Sequence, residues 1–337
     1  MNKIVIIAEA GVNHNGNINI ALKLIDAAKE AGADCVKFQT FKAEQIVTKI
    51  APKAKYQLEV TDKSENQFDM LKKLELDFDD YKTLLQRCKK TGIDFLSTPY
   101  NKEDADFLDT LEVDGFKIAS GQLTELPFLS YVARKKKRMI ISTGMATMAD
   151  VFNAVETIRE AGNNNIIVLQ CTTNYPSKIE DANLLAMISI KQACKVRVGY
   201  SDHVENNYAC LGSVALGAEI IEKHFTLDKN MEGPDHSSSL NPVEFKELVF
   251  GIRQIEKSLG TGIKKPSQIE IDNSYGMKRS LVVLMDVEVG SLITEDIIGF
   301  KRPSNGLPVN MLNEILGKTL AKKMLKDDAL QYSSIVW

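Results

Sequence analysis
The sequence predicts an α/β fold, a (β/α)8 TIM barrel followed by a small appended domain. Eight short apolar segments alternate with eight segments that place apolar residues at helical spacing. Gly32, Gly92 and Gly162 each close a helical segment just before an apolar one, as the left-handed stop of a helix requires. The character of the chain then changes after Gly260. An open doubly wound sheet is the rival. It uses fewer strands and a glycine-rich dinucleotide turn, and Gly11-Val12-Asn13-His14 is not such a turn.

In chain order, strands are expected at Lys3–Ala8, Cys35–Gln39, Asp94–Ser97, Phe116–Ala119, Met139–Ser142, Ile166–Cys171, Val196–Tyr200 and Ile220–Phe225. Helices are expected at Ile18–Ala31, Asp80–Thr91, Lys102–Leu111, Leu126–Arg134, Ala149–Ala161, Asp181–Ala193, Asn206–Leu216 and Pro242–Leu259. Asn241-Pro242 with Glu244 reads as an N-cap, a first-turn proline and a capping-box acid. One connection is abnormal. Phe41 to Asp79 is far longer than the usual few residues, and its first half is basic (Lys42, Lys49, Lys53, Lys55). Over the strand ends it would form a substrate lid; the plain alternative is a disordered insertion. The barrel is expected over residues 1–260 and a linker over 261–278. Residues 279–337 form a small domain of short strands and turns, at roughly 58 residues small for independent stability.

Composition narrows the classes of function. The chain has 337 residues, 44% hydrophobic and 26% charged, which is ordinary globular composition. Lys+Arg 42 against Asp+Glu 45 leaves a net charge of -3, so no bulk electrostatic argument points to nucleic acid. No apolar run approaches the roughly 18 residues of a membrane span. The stretch Ile4 to Ala8 is too short for a signal-peptide core, so a cytoplasmic location is expected. Cys35, Cys88, Cys171, Cys194 and Cys210 are scattered without a CxxC pair and read as reduced, buried thiols.

In an eight-fold barrel the active site forms at the C-terminal strand ends. Those ends carry Glu9, Lys37, Gln39, Ser97, Thr98, Lys117, Ser120, Ser142, Thr143, Thr172, Thr173, Asn174, Ser201, Asp202, His203, Lys223 and His224. Lysine inside an apolar run, as in Val36-Lys37-Phe38 and Phe116-Lys117-Ile118, is unusual unless the ammonium is paired. Two such lysines with converging hydroxyls describe a phosphate and carboxylate pocket. The plainer reading pairs each lysine with Glu9 or Asp202 or lets it snorkel. His203 and His224 end consecutive strands and would support a divalent ion completed by water, substrate or a carboxylate. His14 is read equally as a turn residue or a functional one, and Asp235 is a candidate for binding substrate hydroxyls.

At these residues the chain resembles the sialic acid synthase family. The matching segments run in order from Glu9-Ala10-Gly11-Val12-Asn13-His14-Asn15-Gly16 through Val36-Lys37-Phe38-Gln39-Thr40, Ser97-Thr98-Pro99, Phe116-Lys117-Ile118-Ala119-Ser120-Gly121 and Ser142-Thr143-Gly144-Met145. They continue through Gly199-Tyr200-Ser201-Asp202-His203, Glu222-Lys223-His224-Phe225-Thr226, Gly233-Pro234-Asp235-His236 and Lys301-Arg302-Pro303-Ser304-Asn305-Gly306. The resemblance implies a TIM barrel with a C-terminal antifreeze-like (SAF, β-clip) domain in a domain-swapped homodimer. It implies condensation of phosphoenolpyruvate with an N-acetylmannosamine-type sugar and water to give N-acetylneuraminate and phosphate, by C–O cleavage. The alternative is N,N'-diacetyllegionaminate from 2,4-diacetamido-2,4,6-trideoxymannose.

By motif position, Lys37, Thr98, Lys117, Ser120, Ser142, Thr173 and Ser201 are expected to hold phosphoenolpyruvate. Glu9, Gln39, Tyr175 and Asp235 are expected to hold the sugar, with Arg302 reaching it from a partner subunit. His203 and His224 are expected to bind Mn2+, or Mg2+, and Glu9, Lys37 and Lys117 to act in catalysis. The chain departs from the family's usual pattern at Gln122 in Ala119-Ser120-Gly121-Gln122, at Gln170 in Gln170-Cys171-Thr172, and at Thr173, which aligns with the usual Asn of the phosphoenolpyruvate site. Another phosphoenolpyruvate-dependent aldose synthase, a metal-dependent barrel hydrolase and a non-enzymatic sugar-binding protein are the remaining readings.

Overall fold
Parallel strands need long crossovers, and the helical segments supply them. The computed structural model describes residues 3–54, 57–58, 61–62 and 64–337. By its internal contacts the chain divides into Met1–Gly260 and Thr261–Trp337. In the first unit the strands are β1 (Val5–Gly11), β2 (Cys35–Thr40), β3 (Asp94–Pro99), β4 (Gly115–Ile118), β5 (Arg138–Ser142), β6 (Ile166–Cys171), β7 (Arg197–Asp202) and β8 (Ile220–His224). They lie in the order β3-β2-β1-β8-β7-β6-β5-β4. The parallel β1–β8 pair, Val5↔Ile220 to Glu9↔His224, joins the two ends of the sequence of strands. The outer strands β3 and β4 pack side by side, so the sheet is a nearly closed barrel.

Several elements end elsewhere than the sequence pattern suggests. β1 runs on to Gly11 through a register shift between Glu9 and Gly11 in its pairing with β2. β7 continues to Asp202, since its pairing with β8 persists through Asp202↔Lys223. The helix expected from Asp181 starts at Leu185, because Asn183 adopts a left-handed conformation (φ 43°) after a short 3-10 turn. Other ends agree closely. Gly92 takes φ 68° to stop the helix Phe78–Thr91, and Asn241 and Glu244 form the expected capping box. The segment 261–278 is not wholly linker. Gln268–Met277 is a helix, and Ser267 with Glu270 forms its capping box.

Side-chain parity positions the site. Successive residues of a strand point to opposite faces. Inside the barrel, Ile7, Cys35, Leu96, Ile140, Leu169 and Ile220 form an apolar layer. Two residues further along the same strands stand Glu9, Lys37, Thr98, Ser142, Cys171 and Glu222, all buried. A hydrocarbon plug thus supports a polar floor. Residues of the other parity, such as Val36, Phe38, Ile141 and Val168, pack outward against the helices in the main core.

The long excursion after β2 carries the helices Ala43–Ile46 and Gln67–Lys73. Its lysines are largely tied up within it. Lys53 is buried and donates to Thr61 Oγ1 at 3.0 Å and the Asp62 carbonyl at 2.8 Å, while Lys42 pairs with Glu75 at 3.4 Å. Lys55 lies outside the described residues. The second unit pairs β9 (Ser280–Val283) with β10 (Ile298–Lys301) around a small core that includes Leu281, Ile293, Ile315 and Leu330. Among the described residues no helix is long and apolar enough to cross a membrane.

One buried carboxyl makes stability depend on pH. Asp104 lies in the first turn of the helix Lys102–Thr110, accepts the Tyr100 N–H at 3.3 Å, and is pushed up to about 7 by burial. The folded state keeps this proton while the unfolded chain releases it near 3.8, so its contribution to stability falls as pH rises from about 4 to about 7. Asp104→Asn is expected to raise the melting temperature more at pH 8 than at pH 5. The same gain at both values would show that Asp104 is not the titrating group.

Candidate active site
The polar floor opens into a cavity of about 480 Å³. All the expected site residues of the barrel line it: Glu9, Lys37, Gln39, Thr98, Lys117, Ser120, Ser142, Thr173, Tyr175, Ser201, His203, His224 and Asp235. Arg302 is exposed on the second unit.

Charge is nearly balanced on the floor. Lys37 Nζ lies 2.8 Å from Glu9 Oε2 and 3.7 Å from Glu222 Oε1. Lys117 Nζ lies 3.6 Å from the same Glu222 oxygen and donates to Ser142 Oγ at 2.7 Å. Burial works against the charge of Glu222, but the flanking ammonium groups of Lys117 and Lys37 hold its carboxyl below the usual range. Burial pushes the Lys117 ammonium below its ordinary value, with Glu222 opposing it. Burial raises Glu9 against the pull of Lys37. Such a set of ions is costly to bury without further partners.

Hydroxyls and one glycine shape the anion side. Ser120 Oγ accepts the Gly144 N–H at 3.0 Å, and Ser201 Oγ donates to Glu222 at 3.1 Å. Thr173 Oγ1 is buried without a hydrogen-bond partner among the described residues. A Cβ at position 144 would stand 1.9 Å from that oxygen and 2.9 Å from Ser120 Oγ, so only glycine fits there. An unpartnered buried hydroxyl lining the same cavity as two ammonium groups is a donor set that could meet an oxyanion.

The sugar candidates sit across the floor. Gln39 donates to Glu9 Oε1 at 3.1 Å and accepts from the Tyr100 hydroxyl at 3.1 Å. The Tyr175 ring lies 4.1 Å from the His203 ring and 5.3 Å from the His224 ring, centroid to centroid. Burial pushes the Asp235 carboxyl up to about 6 against the pull of His203 and Lys37.

The two imidazoles are 5.2 Å apart by ring centroid. His203 Nδ1 faces the Thr172 carbonyl at 2.7 Å, so Nδ1 carries a proton and Nε2 is the nitrogen left for a metal; burial works against the charge of this ring, but Cys171 beside it holds its pKa above the ordinary value. His224 Nδ1 is buried without a hydrogen-bond partner among the described residues, and burial holds this ring well below its ordinary pKa, in the neutral form a metal needs. Both rings therefore fit as ligands of a divalent cation. Among the described residues no three His, Cys, Asp or Glu side chains gather as a metal site, so substrate and water would supply the other positions.

The structure settles three points that the sequence left open. Asp202 does not pair with Lys37 or Lys117. It binds Lys223 at 2.6 Å and the Tyr200 hydroxyl at 3.0 Å, on the outward face of β7 and β8. His14 takes the turn role, its Nδ1 accepting the Gly16 N–H at 3.0 Å. Gln122 is structural as well as cavity-lining, donating to the Pro99 and Tyr100 carbonyls at 3.2 and 3.1 Å. The residue missed is Glu222, which the listing of Lys223 and His224 together at one strand end concealed. The two-residue spacing from His224 places Glu222, not Lys223, on the inner face.

The family model for the NeuB family matches residues 24–264, and that for the SAF domain matches 278–336. The chain belongs to the NeuB family of sialic acid synthases. This NeuB-family enzyme is 48% identical over 332 residues to the N,N'-diacetyllegionaminic acid synthase of Campylobacter jejuni, covering 98% of this chain and 99% of that one. It is 41% identical to the protein of the same name from Legionella pneumophila, over 98% of this chain and 94% of that one. Among solved structures, the N-acetylneuraminic acid synthetase of Leptospira borgpetersenii matches with a TM-score of 0.73 at 33% identity. That match covers 81% of this chain and 90% of that one. The NeuB-family barrel and its SAF domain agree with the architecture expected from the sequence.

Proposed function
We propose that this enzyme condenses phosphoenolpyruvate with the open-chain form of 2,4-diacetamido-2,4,6-trideoxymannose and water, giving N,N'-diacetyllegionaminate and phosphate. The observation that carries the reaction is the buried floor on which Lys37 and Lys117 flank Glu222, in a cavity also lined by the unpartnered Thr173 hydroxyl. The choice of sugar follows the two relatives of 48% and 41% identity. N-acetylmannosamine, giving N-acetylneuraminate, is the second reading, favoured by the likeness to the solved N-acetylneuraminic acid synthetase.

Lys37 and Lys117 would offset the carboxylate and phosphate charge, with Thr98, Ser120, Ser142, Thr173 and Ser201 donating hydroxyls around them. Glu9, Gln39, Tyr175 and Asp235 would orient the sugar so that its aldehyde carbon meets carbon 3 of phosphoenolpyruvate. Bond formation leaves cationic character at carbon 2. Water adds there, and the tetrahedral intermediate expels phosphate as the C–O bond breaks. Glu9, whose carboxyl burial raises, is the group placed to hold a sugar hydroxyl and move its proton. Mn2+ or Mg2+ bound by His203 and His224 would supply Lewis acidity to the aldehyde oxygen. Arg302 would reach the sugar of a partner subunit in a domain-swapped homodimer, for which a sedimenting mass of one chain would leave no room.

Phosphate release measured in parallel with the diacetamido sugar and N-acetylmannosamine tests the substrate. The diacetamido sugar is expected to give the higher kcat/KM. A preference for N-acetylmannosamine would move the assignment to the second reading.

A further inference from the structure
The cavity changes chemistry from one side to the other. At the strand ends it is charged. Chain beyond the strand ends adds an apolar wall: Val12 after β1, then Ile46, Met70, Leu71 and Leu74 of the excursion, with Gln67 of the same excursion also lining the cavity. This wall is a built surface. Leu74 packs with Val12 and Phe41 in a small core of its own, with Ile46 and Leu71 against it, and Met70 is buried. The buried Lys53 ties the same excursion together through Thr61 and Asp62.

We infer that this apolar wall selects the sugar, receiving the methyl of a hexose that lacks its 6-hydroxyl together with the methyl of a distal acyl amide. The inference rests on the proposed reaction and names the residues that choose its substrate. Carbon 1 of the open-chain sugar must meet phosphoenolpyruvate at the charged floor. Carbons 4 to 6 are the other end of the same chain and fall to the wall. A hydroxyl pressed against Leu71 and Met70 loses its water without gaining a partner, whereas a methyl gains by leaving water. The Gln67 amide offers both a donor and an acceptor to an acetamido group.

The test begins with the unaltered Mn2+-supplemented enzyme, comparing N-acetylmannosamine with its 6-deoxy counterpart at saturating phosphoenolpyruvate. The 6-deoxy sugar is expected to have a kcat/KM about tenfold higher, the scale on which a hydrophobic pocket discriminates one small group. Equal values or the reverse order overturn the inference. Leu71 is only half-buried, so Leu71→Asn is paired with Leu71→Met. The asparagine variant is expected to shrink the 6-deoxy preference about fivefold through the sugar KM, with the phosphoenolpyruvate KM within about twofold and the methionine variant retaining the preference. An equal fall for both sugars in Leu71→Asn assigns Leu71 a merely structural part and overturns the inference. If no sugar releases phosphate, the proposed reaction fails. Calorimetric affinities of the two sugars then still decide the inference, tighter binding of the 6-deoxy sugar upholding it and equal binding ending it.

Discussion
Lys117→Ala will lower kcat/KM for phosphoenolpyruvate on the order of 10²-fold or more, as loss of a preorganised charge contact does elsewhere. Two effects act together. The ammonium that would meet the carboxylate or phosphate is gone. In addition, Glu222 loses one of its two flanking ammonium groups, so the cavity becomes more negative where an anion must enter. Removing one partner from a buried ionic cluster also costs stability, about 3–5 kcal/mol in comparable cases. The fold and the chemistry can be separated. Lys117→Ala combined with Glu222→Gln removes one charge of each sign and is expected to recover much of the melting temperature while activity stays low. Near-normal turnover by Lys117→Ala would take Lys117 out of the site. Recovery of activity in the double variant would assign the lysine a structural role.

Chelation will abolish turnover, and Mn2+ will restore it. The argument rests on the histidine pair. The Thr172 carbonyl orients His203, and burial keeps His224 neutral with an unpartnered ring nitrogen. His224 as a bare imidazole has no charge to contribute, and on His203 a metal would take the place of the proton that the neighbouring Cys171 favours. Two protein ligands make a weakly held ion, which predicts that EDTA strips it readily and that activity depends on added metal. His203→Ala and His224→Ala should each weaken Mn2+ binding measured by titration calorimetry. Full activity after exhaustive chelation would exclude this role for the pair.

Much of this protein was legible without coordinates, for a definite reason. Barrel strands are short and buried on both faces, so they stand out as apolar runs. Any lysine, glutamate or histidine interrupting such a run, as at Lys37, Lys117 and His224, must be held by something specific. Helix stops at Gly92 and caps at Asn241 are local events, decided within a few residues, and the sequence pattern located them. The helix Gln268–Met277 was missed because the glycine, proline and Asn-Ser of 261–278 read as a linker.

What tertiary structure alone decided is which face each polar residue takes and whom it meets there. Residue type says that Asp202, Lys223 and Glu222 are costly to bury. Strand register says that Asp202 and Lys223 satisfy one another on the outer face while Glu222 joins two lysines inside. The excursion after β2 shows the same division. Its length and its lysines were plain in the sequence, but the cavity wall is made by Ile46, Met70, Leu71 and Leu74. Lys53 turns inward to the excursion's own backbone. Local propensity is set by neighbours along the chain. The pairing of Glu9 with Lys37, and of Val12 with Leu74, exists only after strands and excursion have packed, because chain closure is what brings those side chains within reach.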